Sequence, residues 1–115
     1  MSRDNSRPAQ IAIGHIEALR RHLDRGELED ELIFDAVCHR LAASIEEARR
    51  ISETVLTEVF AHDWVAIRAM RNALAHNYQF VDAAIVRTTI ERDLDVFETG
   101  LRHIQTTVST SEHES

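Results

Sequence analysis

The chain contains no lysine; all thirteen basic residues are arginine. Codon usage in a GC-rich genome is one explanation. Whatever the origin, every cation keeps its charge at any usable pH and presents a planar fork that fits a phosphate or a carboxylate. Cysteine occurs once, as Cys38, which excludes an intramolecular disulfide. Its place among apolar helix positions marks it as buried and inert. Three glycines and one proline leave few breaks, and alternating runs bounded by turn residues are lacking, so the expected fold class is all-α. No apolar run approaches a membrane span, and MSRDNSRPAQ has none of the features of a signal peptide, so a cytoplasmic location without membrane contact is expected. There is no glycine-rich phosphate loop and no serine in a nucleophile elbow.

What is present is a chain of 115 residues, one domain's worth, with a net charge of -7. That charge argues against a protein that coats nucleic acid nonspecifically, which needs a basic face, but leaves room for a local phosphate site. Residues 1–8 read as a flexible N-terminus, 9–108 as a helical bundle domain and 109–115 as a flexible tail. Pro8 suits a first helical turn, and Ala12, Ile16, Leu19 and Leu23 line one face of a helix over about 9–23. Gly26 breaks it. Glu27, Glu29, Asp30 and Glu31 then suit the positive N-terminus of a second helix, or contribute to a partner interface. In that helix Ile33, Val37, Leu41, Ile45, Ala48 and Ile51 step by threes and fours; it either continues to Phe60 or breaks near Ser52. A third helix starts with Asp63 as N-cap. A fourth starts with Asp82 and carries Val86, Ile90, Leu94, Phe97, Leu101, Ile104 and Val108. Short connections between amphipathic helices make an antiparallel bundle of four to five helices the economical packing.

Seven histidines raise the question of a metal. His15 and His22 stand two turns apart, too far to chelate one ion alone, and His39, His62, His103 and His113 lack a partner at H-x3-H spacing. No metal and no cofactor are expected.

The stretch RNALAHNY, Arg71 to Tyr78, breaks the bundle pattern. Trp64, Ile67, Arg71 and Leu74 share one helix face, and the arginine among three apolar residues needs an anion or a route to water. A carboxylate of a neighbouring helix, Glu46 or Glu47, is one candidate; snorkelling to the surface is another; a groove that receives a phosphate is the third. His76 lies five positions on, a rotation of about 140° on a regular helix. The two side chains therefore converge only if the helix ends between them, with Asn77 in a left-handed C-terminal conformation, or if a second copy supplies the partner. His76 reads either as a capping or surface residue or as a proton-transfer group. Tyr78 reads as ordinary packing or as a hydroxyl beside the same groove.

Arg71, four residues, His76, one residue, Tyr78 resembles the R-x4-H-x-Y signature of HepT-like toxins in the HEPN superfamily. WVAIRAMRNALAHNYQFVD is similar to that family's tryptophan, R-N-x-L-x-H-x-Y and V-D pattern, and DAVCHRLAASIEEA resembles its preceding helix. The likeness covers roughly residues 10–105. It implies a HEPN bundle forming a homodimer, with two motifs facing a shared cleft, and metal-independent RNA cleavage. Arg71 and His76 would be catalytic, and Asn72 would support them by orienting the phosphate or the imidazole. It also implies a minimal nucleotidyltransferase (MNT) antitoxin as partner, which would neutralise the toxin by transferring AMP to Tyr78. The rival expectation is a noncatalytic HEPN partner or scaffold of a nucleotidyltransferase complex, which the acidic charge favours.

Overall fold

The computed structural model describes residues 4–77 and 83–114. Among them every regular element is helical: α1 (Ser6–Arg25), α2 (Glu31–Ala48), α3 (Glu53–Phe60), α4 (Asp63–Asn77), α5 (Ala83–Thr89) and α6 (Asp95–Glu114). α5 and α6 form one continuous rod through a π-helical turn at Ile90–Leu94. The bundle thus has five rods among the described residues, in line with the all-α expectation.

α1 begins at Ser6, inside the stretch expected to be loose, because Asn5 and Pro8 are buried. The Asn5 side chain does not cap its own helix. It accepts a hydrogen bond from the Ser52 backbone N–H at 3.0 Å, tying the start of α1 to the turn between α2 and α3. The long second helix does break near Ser52: α2 ends at Ala48, and Ile51 lies buried in the turn. Asp30 caps α2, its carboxylate accepting from the N–H groups of Leu32 at 2.9 Å and Ile33 at 3.4 Å. Asp82 lies outside the described residues. α6 runs on to Glu114, through residues expected to form a tail.

α1 and α2, joined by five residues, make the most extensive contact and form an antiparallel hairpin. Ala9, Ala12 and Ala48 are fully buried, and Ser44, equally enclosed, satisfies its hydroxyl on the Leu41 carbonyl at 2.7 Å. At the edge of this hairpin Arg40 Nη1 lies 2.9 Å from His15 Nδ1. An arginine can only donate, so His15 must accept as a neutral ring. Burial and the Arg40 charge both push its pKa below the usual histidine value.

α6 packs along α1. Arg20 of α1 reaches Asp95 at 2.7 Å and Glu98 at 2.9 Å, and Arg102 closes on Glu98 at 2.8 Å. Burial alone would raise the Glu98 pKa; the hydrogen bonds from Arg102 and Arg20 outweigh it and leave it lowered. Arg87 pairs with Glu29, holding α5 to the α1–α2 turn.

The π-turn accommodates the residue spacing around it. Val86, Ile90 and Leu94 step by fours, and each such step overshoots a 3.6-residue turn by about 40°. A wider turn takes up the drift, so Val86, Leu94, Phe97, Leu101 and Ile104 are all buried in one core. Just upstream, the Thr88 and Thr89 hydroxyls bond back to the Ala84 and Ile85 carbonyls, each at 3.0 Å, which favours bending there.

Candidate active site

α4 owes its position to an aromatic cluster at its start. Phe60 ends α3 and stacks on Trp64 with ring centroids 6.1 Å apart; on its other side it meets Phe97 of α6 at 5.7 Å. Between α3 and α4 the chain turns through Ala61, whose φ of 51° and ψ of -133° fall where only glycine is unstrained. Asp63, expected as the cap, is the first helical residue. From there Trp64, Ile67 and Leu74 enter the core as their spacing requires.

Arg71 completes that face but stays at its margin, with 24 % of its side chain exposed. Its Nε lies 2.7 Å from Glu46 Oε2 on α2, and its Nη1 donates to Asn72 Oδ1 at 3.3 Å. Of the two carboxylates anticipated, Glu46 is thus the one engaged, while Glu47 faces Arg50 at 3.5 Å. The same Glu46 oxygen also receives Arg49 Nη1 at 3.2 Å. Two guanidiniums from two elements therefore converge on one carboxylate oxygen. Glu46 is half exposed, so the pair contributes at most about 1 kcal/mol and can be exchanged for another anion at little cost. Beside Arg49, a surface groove runs past Ser52 and Glu53 to the edge of Trp64 and Arg68. The sequence reading missed Arg49 and Arg68. The available cues were the Arg49–Arg50 pair closing α2 and the three-residue spacing of Arg68 and Arg71.

Position 76 belongs to α4, which continues unbroken to Asn77, so the helix does not end between Arg71 and His76. The two positions keep the angular offset of a regular helix. α4 therefore offers Arg71 on one side and places position 76 in register with the exposed residues Val65, Ala69 and Asn72 on another. Tyr78 lies outside the described residues. Among the described residues no group of three or more His, Cys, Asp or Glu side chains could hold a metal ion, and no helix is long and apolar enough to cross a membrane.

The all-helical architecture fits the HEPN helical bundle, with Arg71 at the margin of the core on the fourth helix. A family model described as ribonuclease HepT-like matches residues 9–104, and the chain belongs to that family. No curated protein and no solved structure matches it.

Proposed function

We propose that the protein is a HEPN ribonuclease toxin, with residues 9–108 as its working domain, acting as a homodimer in the cytoplasm. Family membership supports ribonuclease activity and an RNA substrate. The observation that carries the mechanism is Arg71: a solvent-reachable guanidinium on the edge of the core, restrained among the described residues by an exposed carboxylate and Asn72.

Neutral His76 takes the proton from a ribose 2′-hydroxyl. The 2′-oxygen attacks the adjacent phosphorus, and Arg71 neutralises charge on the nonbridging oxygens as five bonds form. The bond to the 5′-oxygen breaks, and His76 of the other protomer protonates that leaving group. The products are a 2′,3′-cyclic phosphate and a 5′-hydroxyl. Because the nucleophile belongs to the substrate, the reaction runs without a metal. Asn72, bonded to Arg71, supports the guanidinium in its phosphate-facing position. The homodimer draws support from α4 itself: its unbroken run separates positions 71 and 76, and Val65, on the stripe that includes position 76, is 59 % exposed. A second copy meeting that stripe would bring each imidazole toward the other chain's guanidinium.

In this account the cognate minimal nucleotidyltransferase neutralises the toxin by adding AMP to Tyr78. The added phosphate would compete for Arg71 and repel incoming RNA.

The test expresses wild type, Arg71→Ala and His76→Ala without the antitoxin and assays purified protein on RNA. Wild type should arrest growth and cut RNA; both variants should spare it while keeping wild-type helical circular dichroism. Wild-type protein that spares both growth and RNA overturns the nuclease reading. If such protein were still adenylylated on Tyr78 by the partner and ATP, the noncatalytic scaffold reading would replace it; the acidic charge favours that alternative.

A further inference from the structure

The Glu46 carboxylate marks an anion seat built by two arginines rather than one. Arg71 Nε and Arg49 Nη1 approach the same oxygen at 2.7 and 3.2 Å, from α4 and from the residue that closes α2. The backbone of Arg49 is anchored, its N–H donating to the Ile45 carbonyl at 3.0 Å, so the guanidinium springs from a fixed point. A nonbridging phosphate oxygen asks for the same donors as a carboxylate oxygen, and forked arginines suit both. Neither Arg49 nor Glu46 is enclosed, their side chains being 42 % and 52 % exposed, so the carboxylate can swing away without disturbing the core.

We propose that Arg49 is a second phosphate-binding residue, acting with Arg71 on one RNA phosphate, and that Glu46 occupies this seat until RNA displaces it. The inference rests on the ribonuclease reading and adds a residue that the R-x4-H motif does not contain. The groove from Ser52 past Trp64 to Arg68 opens beside Arg49 and gives the strand a direction in which to continue. Glu46 is then a competitor, holding the two guanidiniums ready while lowering affinity for RNA.

The experiment measures binding of a fluorescent, uncleavable 2′-O-methyl oligoribonucleotide by anisotropy at several salt concentrations, for wild type, Arg49→Gln and Glu46→Gln. Cleavage of an all-ribose strand by wild type is scored in parallel. Glu46→Gln should bind about two- to fivefold more tightly, the scale on which an exposed ion pair competes. Arg49→Gln should bind about five- to twentyfold more weakly, and its salt slope should fall by about 0.7, one phosphate contact on a single strand. If wild type cuts RNA but Arg49→Gln keeps wild-type affinity and slope, the inference is wrong and the ribonuclease reading stands. Weaker binding by Glu46→Gln would equally overturn it, since the carboxylate would then be aligning Arg71 rather than competing with RNA. Should Arg49→Gln fail to fold, the Glu46→Gln result alone decides. Wild type that neither binds nor cuts defeats both readings.

Discussion

Two glycines in two helices should respond to the same substitution with opposite signs. A Cβ placed on Gly100 of α6 would lie 2.3 Å from Phe60 Cε1, 2.7 Å from its Cζ and 3.0 Å from Val59 Cγ1. Ordinary contact starts near 3.4 Å, so the ring must retreat by about 1 Å. It has little room, being 3 % exposed and held between Trp64 and Phe97. Overpacking of this kind costs about 2–3 kcal/mol, and replacing a helical glycine returns about 1 kcal/mol, leaving Gly100→Ala about 1–2 kcal/mol less stable. Gly14 of α1 has nothing within 4 Å of its added Cβ, so Gly14→Ala should gain about 0.5–1 kcal/mol. At about 4 °C per kcal/mol for a chain of this length, the two variants should melt about 6–12 °C apart by circular dichroism. Trp64, the single tryptophan, stacks on Phe60, so its fluorescence should change in Gly100→Ala and not in Gly14→Ala. A Gly100→Ala protein as stable as wild type, with unchanged fluorescence, would refute the close approach of α6 to Phe60.

Three further outcomes follow from particular residues. Ala61→Gly relieves a strained backbone and should raise stability by about 0.5–2 kcal/mol after the glycine's own entropy cost; an unchanged or lower urea midpoint contradicts the assigned φ. His15 has a folded pKa below its ordinary 6.5, so its stabilising contribution is complete above pH 6.5 and is lost as pH falls below that value towards the folded pKa. Between pH 7.5 and 5.5, wild type should lose more stability than His15→Gln, and parallel profiles would remove the neutral His15–Arg40 contact. Burial, with Asp35 adding to it, pushes the Cys38 thiol up to about 11, so at pH 8 iodoacetamide should label native protein at least about 100-fold more slowly than urea-unfolded protein. Equal rates would show that Cys38 is not enclosed.

The helices were legible because their apolar residues repeat at threes and fours: Val37, Leu41, Ile45 and Ala48 of the second stripe, and Val86, Leu94, Phe97, Leu101 and Ile104 of the last, enter the core. Interruptions were harder to read. Ile51 continues the α2 periodicity yet sits in a turn, since Asn5, forty-seven residues away, supplies a partner for the Ser52 N–H that a continuous helix would have used internally. The π-turn left only a faint trace, two successive steps of four, which an ordinary helix also tolerates. At the site, the need of Arg71 for an anion was evident from its three apolar neighbours, and Glu46 was one of two candidates. Arg49 was not evident, because convergence of two guanidiniums on one oxygen depends on how α4 lies across the end of α2, which no local spacing encodes.

The most direct test of attack by the substrate's own hydroxyl uses a DNA strand carrying one ribonucleotide, incubated with purified wild-type protein and excess EDTA. The account predicts a single cut, 3′ to the ribonucleotide, with a 2′,3′-cyclic phosphate by mass spectrometry on one product and a 5′-hydroxyl on the other. Cutting at deoxynucleotides, or a cut that EDTA abolishes, would contradict it.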